Sequence, residues 1–470
     1  MRKYNSISAR LLARKYKLRL RDIRSKTNRV TIKDVKTAIK RKSKSKSNSK
    51  FGTEKWTQAL KSAAKEQKQI NMTGMFDNII GNDLLDLVDL DDYLNMKTLL
   101  KSRRLDYNPE TVIIGCKDRK RFPLDKLSPS IKKLNLSNCQ NNDITLLSRL
   151  TKLIKLNLSV NNIVDIESLS NLTKLKELNL LYNNIDSIEP LINLTKLTKL
   201  HLMANRISNI EPLINLTKLT ELHLMANRIS NIEPLINLTK LTELNLSRNR
   251  IVNIEPLINL TKLTVLDLDR NRIVNIEPLI NLTNLKELDL MTNEISDIEP
   301  LIKLTNLKEL NLSSNNIFGI EPLSRLTKLT ELNLSSNNIF GIEPLSRLTK
   351  LTELNLSNNN IFDIEPLIKL TKLTELYLMA NEISDIEPLS NLTNLTHLDL
   401  MDNIISNIEP LSNLPQLTHL DLSENNLVYI ELLSNLKELK YLDLSQNWNI
   451  QDFKPIRNLI RQPGFIYIDE

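Results

Sequence analysis

The sequence predicts an α/β solenoid: a curved arc of repeated coils with a parallel sheet on its concave side and short 3₁₀ turns on its convex side, preceded by small helical segments. Three observations predict it. Asparagine recurs every 22 residues, at Asn161, Asn183, Asn205, Asn227, Asn249, Asn271, Asn293, Asn315, Asn337, Asn359, Asn381, Asn403, Asn425 and Asn447, with Cys139 in the same slot one step earlier. Around each slot the chain reads L-x-x-L-x-L-x-x-N, as in Leu241-Thr-Glu-Leu244-Asn-Leu246-Ser-Arg-Asn249. Only 7 of 470 residues are Gly and 4% are aromatic, which suits a core stacked from thin layers of Leu and Ile. A unit this short cannot bury its apolar face alone, so the coils must stack. Such a surface is built for contact, and no catalytic pocket is implied.

In chain order, residues 1–40 are basic with helical periodicity. Two short helices flank a loop across residues 8–39, with Thr31 or a neighbour capping the second and Asp34 in its first turn. The first 50 residues hold nineteen Lys and Arg against Asp22 and Asp34, a local charge of +17 that leaves −8 on the rest of a chain of net charge +9. A head of this density would bind phosphate backbones without sequence preference, making nucleic acid a candidate partner of residues 1–50. Only Tyr4 and Tyr16 interleave the charges, so base stacking is not expected; the plainer reading is a solvated tail. Residues 41–50, Arg-Lys-Ser-Lys-Ser-Lys-Ser-Asn-Ser-Lys, form a disordered linker with nothing to bury. Residues 51–110 look helical, with an acidic, leucine-rich centre from Phe76 to Leu100 that suits a cap on the solenoid.

Residues 111–447 are the solenoid. Leu244 and Leu246 alternate with polar residues, the pattern of a short strand with one face buried. Asn249 turns the chain inward, and its amide can donate and accept between adjacent coils; losing such a residue should cost on the order of 1–3 kcal/mol. The return path Ile251 to Leu257 carries Pro256, which suits a turn or a first helical position. A 22-residue period leaves no room for a full helix there, hence the 3₁₀ turns. Thr111 to Cys116 falls one period before Ile131 to Leu136 and reads as an irregular first strand. In residues 448–470, Trp448, Phe453, Ile456, Leu459 and Ile460 read as a terminal helix covering the last layer.

Stacked strands turn each repeat position into a column. One column carries Glu221, Glu243, Glu287, Glu309, Glu331, Glu353 and Glu375; two positions on stand Asp267, Asp289, Asp399 and Asp421. Like charges on neighbouring strands repel, so these residues are the candidate partner-binding face, for a basic protein or peptide. Copying is the competing explanation, since residues 201–222 repeat as 223–244 and residues 311–332 as 333–354. Arg206, Arg228, Arg250 and Arg272 follow the ladder Asn in successive repeats: a candidate anion-binding rim, or a solvated edge. His201 with His223, and His397 with His419, fall on adjacent strands. Two His are short of a metal site; Asp399 and Asp421 could complete one at the second pair, but copying accounts for both pairs, so no metal is expected. No Gly-rich phosphate loop, nucleophile elbow or Cys-x-x-Cys occurs, so neither enzyme nor cofactor is predicted.

The unit Leu-Thr-Lys-Leu-Thr-Glu-Leu-Asn-Leu-Ser-x-Asn-x-Ile-x-x-Ile-Glu-Pro-Leu resembles the 22-residue leucine-rich repeats of bacterial internalins and SDS22-like phosphatase regulators, over about residues 131–447. That resemblance implies a protein–protein interaction scaffold working through the concave sheet. Ala9-Arg10 with Leu12-Ala13-Arg14, Leu20-x-x-Ile23 and Arg29-Val-Thr-x-x-Asp34-Val35 are similar to the peripheral subunit-binding (E3-binding) domain, with that family's Gly-Thr-Gly loop replaced by Ser25-Lys-Thr-Asn28. Phe76 to Arg104 resembles an F-box without its leading Leu-Pro, which would imply a ubiquitin-ligase adaptor. Two cysteines, Cys116 and Cys139, cannot build a disulfide framework, which favours a reducing compartment. No apolar run suits a secretory signal or a membrane span. The expected location is therefore intracellular, cytoplasmic or nuclear, although the acid-free stretch before Asp22 also suits a mitochondrial presequence.

Overall fold

The computed structural model describes residues 111–113, 124–461 and 464–468. The basic head, the Lys/Ser linker and the F-box-like segment lie outside them. Seventeen strands of three residues each are described, in one parallel sheet. They begin with β1 (Thr111–Ile113) and β2 (Lys133–Asn135), recur every 22 residues to β16 (Tyr441–Asp443), and finish with β17 (Ile466–Ile468). Each strand pairs with the next in chain order, Glu309 to Glu331 and Leu310 to Leu332 being typical, and β1 and β17 stand at the two ends of an open arc. The middle residue of each strand from β2 to β16 is a buried Leu, and the two flanking it point outward.

The core is a stack of near-identical apolar layers. In one coil Leu263, Leu266, Leu268, Ile273, Ile276, Leu279 and Leu282 are all 1% exposed or less. Each contributes roughly 1.5–3 kcal/mol by leaving water, but only because the next coil covers it. The ladder asparagines tie the layers together. Asn315 donates from Nδ2 to the carbonyls of Leu290 and Leu312, both at 3.0 Å, while its Oδ1 accepts the amide of Ile295 at 3.1 Å. The backbone is left-handed at the residue before each ladder Asn, at Val160, Ala226 and Thr292 for example.

The return path is a 3₁₀ turn in every coil, Glu255–Leu257 being one, with Pro256 in its first turn. The turn is started from two residues upstream: Asn253 Oδ1 accepts the amide of Glu255 at 2.9 Å. Proline fits because its missing N–H falls where no turn hydrogen bond is due.

Both ends carry corrections. A short helix, α1 (Arg457–Ile460), follows a 3₁₀ turn at Lys454–Ile456; Ile456 and Leu459 are buried, and Phe453 and Ile460 pack against the core. Trp448 does not join them. It is 83% exposed, because it occupies the slot after the ladder Asn, which points to solvent at Arg206 and Arg250 as well. Beyond α1 the chain returns to add β17, an element the apolar pattern did not signal. At the other end Cys139 is fully buried and disulfide-bonded, and the sequence's one other cysteine, Cys116, lies outside the described residues. The cysteines therefore do not favour a reducing compartment. Among the described residues no helix is long and apolar enough to cross a membrane.

Candidate partner-binding face

The outward positions of the strands form two columns. In the first, Glu287, Glu309, Glu331, Glu353 and Glu375 stand in direct register on five neighbouring strands. Partial burial, then Glu287 and Glu331 on either side, push the Glu309 carboxyl upward; partial burial, then Glu375 and Glu331, do the same to Glu353. In the second column, burial raises Asp289 to about 6 against the opposing bond from the Met291 amide, with Asp267 and Asp269 adding to the rise. Asp399 is likewise raised to about 6, by burial and by Asp421. Asp267 and Asp421 shift upward as well, again mainly through burial. Tyr377, half-buried in the second column between Asn355 and Asp399, donates its hydroxyl to Glu375 at 2.7 Å.

The face is graded along the arc. Its first strands carry Lys133, Lys155 and Lys199 around a shallow cavity of about 320 Å³ that is also lined by Asn135, Asn157, Glu177 and His201. Lys155 pairs with Glu177 at 2.5 Å and Lys199 with Glu221. Arg206, Arg228, Arg250 and Arg272 form an exposed row beyond the strand ends, off the sheet itself.

The two histidine pairs differ. His201 Nε2 lies 2.6 Å from Glu221 Oε1, and His223 Nε2 lies 2.9 Å from Glu243 Oε1; the two rings stack at 4.6 Å with 7° between planes. Hydrogen bonding from His201, then from Lys199, holds Glu221 down to about 2 despite partial burial. The donor atoms of His201, Glu221 and His223 all lie within 4.8 Å of one another. His397 and His419 stack at 4.2 Å and turn Nδ1 to the hydroxyls of Thr396 and Thr418, at 3.0 and 2.9 Å; among the described residues the cluster of close ligand atoms falls at the first pair, not with Asp399 and Asp421 at the second. Reading the sequence by columns pointed to the second pair. The contact that matters is diagonal, from the third residue of one strand to the first of the next, 20 residues on. Three exposed aromatics were also missed: Phe318, Phe340 and Phe362, about 60% exposed on successive coils, whose signal was an aromatic returning at the repeat period.

A family model described as two copies of leucine-rich repeats matches residues 151–193, 195–237, 239–281, 261–303, 283–325, 349–391 and 371–413, and a second leucine-rich repeat model matches 305–361 and 393–448. No curated protein matches. Among solved structures, an internalin (inlF) from Listeria monocytogenes is 38% identical, with a TM-score of 0.62 over 63% of this chain and 88% of that one. A leucine-rich repeat protein of Leptospira interrogans is 26% identical, with a TM-score of 0.65 over 74% and 97%. The Arabidopsis receptor kinase HAESA, solved in complex with the peptide hormone IDA and the co-receptor SERK1, is 26% identical, with a TM-score of 0.54 over 68% and 62%. Matched coil after coil on a 22-residue grid, the chain belongs to the leucine-rich repeat family.

Proposed function

We propose that this protein is a non-enzymatic scaffold whose concave face captures a basic protein or peptide. The observation that carries the reading is the run of five glutamates in direct register from Glu287 to Glu375. Stacked like charges cost stability, and a cationic partner would turn that cost into affinity. The HAESA complex supports the class of ligand, since there a protein of this fold is solved with a peptide hormone.

The test is Glu309→Lys, Glu331→Lys and Glu353→Lys combined, assayed with a Lys/Arg-rich peptide by fluorescence anisotropy at several salt concentrations. At about 0.5–1 kcal/mol per reversed charge, affinity should fall roughly 10- to 100-fold and lose its salt dependence, with the circular dichroism spectrum unchanged. Unchanged affinity in a folded variant would mean that copying alone explains the column.

A further inference from the structure

We propose that His201, Glu221 and His223 form a binding site for a borderline divalent cation, Zn²⁺ foremost, where two identical coils meet on the sheet. The argument begins with duplication. One coil offers one imidazole at the end of its strand and one carboxylate at the start of the next. Because residues 201–222 repeat as 223–244, two coils set two imidazoles on β5 (Lys199–His201) and β6 (Glu221–His223), with the Glu221 carboxylate between them. Glu221 Oε1 lies 2.6 Å from His201 Nε2 and 4.0 Å from His223 Nε2. Those separations bracket the ~3.3 Å edge of a tetrahedron drawn around zinc at ordinary bond lengths. Glu243, already at His223 Nε2, supplies a fourth donor or yields its place to water.

The donor set selects the ion. Two imidazoles with carboxylate suit Zn²⁺ and its late first-row neighbours, whereas Mg²⁺ and Ca²⁺ want oxygen alone. The proton that Nε2 donates in each His–Glu bond leaves as the metal binds, and the two parallel rings splay to aim both lone pairs at one point. Two features limit affinity. Lys199 holds the other oxygen of Glu221, placing a cation beside the site. His223 Nδ1 is buried without a hydrogen-bond partner, so this ligand lacks the outer contact that orients most metal-bound histidines, a lack worth roughly 10- to 100-fold in affinity.

Only four histidines occur in the chain, so the test can separate the two pairs. Isothermal titration of the full chain, first stripped with chelator, would use ZnCl₂, with MgCl₂ as the control. The result expected is one Zn²⁺ per chain and no heat from Mg²⁺. The double variant His201→Asn/His223→Asn should bind at least tenfold more weakly, and it should fold, because Asn179 and Asn245 already fill the same column on either side. Glu221→Gln should weaken binding roughly tenfold, the cost of one anionic ligand, while His397→Gln/His419→Gln should leave it unchanged. No zinc bound by the wild type, or equal affinity in a folded His201→Asn/His223→Asn protein, would overturn the proposal.

Discussion

At the scale of single residues, each coil carries a conformation that its own side chains do not favour. The residue before the ladder slot, filled by Cys139 once and by Asn thereafter, has φ between +51° and +59° in all fifteen coils from Asn138 to Gln446. The slot is filled by Val, Tyr, Ala, Arg, Thr, Ser, Asp, Glu, Gln and Asn, never by Gly. That is why the left-handed turn was not legible in the sequence while the asparagine beside it was: the grid announces the residue that makes the hydrogen bonds, not the one bent by them. The amide of the bent residue is held by the next coil, as Ala226 N is by Ser247 O at 2.9 Å. A left-handed L-residue costs roughly 1–2 kcal/mol, whereas Gly there costs only about 0.4–1 kcal/mol through the unfolded chain. Ala226→Gly should therefore stabilise the protein by up to about 1 kcal/mol, read as a higher urea midpoint. A lower midpoint would show that the ladder leaves no strain in this slot to relieve.

At the scale of the strand, the two outward columns make the sheet a set of coupled acids, and the coupling has a sign. Asp289 titrates near 6 in the folded chain against an ordinary value of 3.8, so between those values the folded state holds more protons than the unfolded one. Stability attached to this group is therefore full at low pH and is lost as pH rises through about 6. Glu221 runs the other way, its contribution being lost as pH falls from 4.5 towards 2, which touches only the acid edge of the range measured. His419, lowered by burial and then by His397, opposes Asp289 below its ordinary value of 6.5, so wild-type and variant chains must be compared at each pH. Asp289→Asn should raise stability at pH 7 by about 1–3 kcal/mol, with the gain vanishing by pH 4. The substitution copies its neighbours, since Asn311, Asn333 and Asn355 continue the column. Urea midpoints from pH 4 to 8 give the readout. A gain that does not depend on pH would assign the effect to packing rather than to a buried charge.

At the scale of the whole molecule, the sequence declares its architecture because one short rule is repeated until chance is excluded; the site is less legible because a partner is not a repeat. The Glu and Asp columns could be listed from the spacing, but the diagonal His–Glu contacts depend on strand pairing that a linear pattern does not display. Trp448 was misplaced for a related reason: its apolar character suggested a cap, while its slot in the coil, one past Asn447, points outward. The same repetition makes a strong prediction about length. Residues 311–332 and 333–354 are identical, so deleting 333–354 joins Leu332 to Asn355 across a junction that the chain already contains as Leu354–Asn355. The remaining coils meet through surfaces they use now, and stability should fall by only one unit and its neighbour contact. The arc should shorten by one strand spacing of about 4.8 Å, and the glutamate run should drop from five to four with the loss of Glu353. A folded, cooperatively unfolding protein that binds the cationic peptide less than tenfold more weakly is the outcome expected of a surface that reads an extended ligand. Complete loss of binding in a folded deletion chain would instead locate one discrete epitope across those two coils, and loss of folding would mean that the coils are not interchangeable despite their identical sequence.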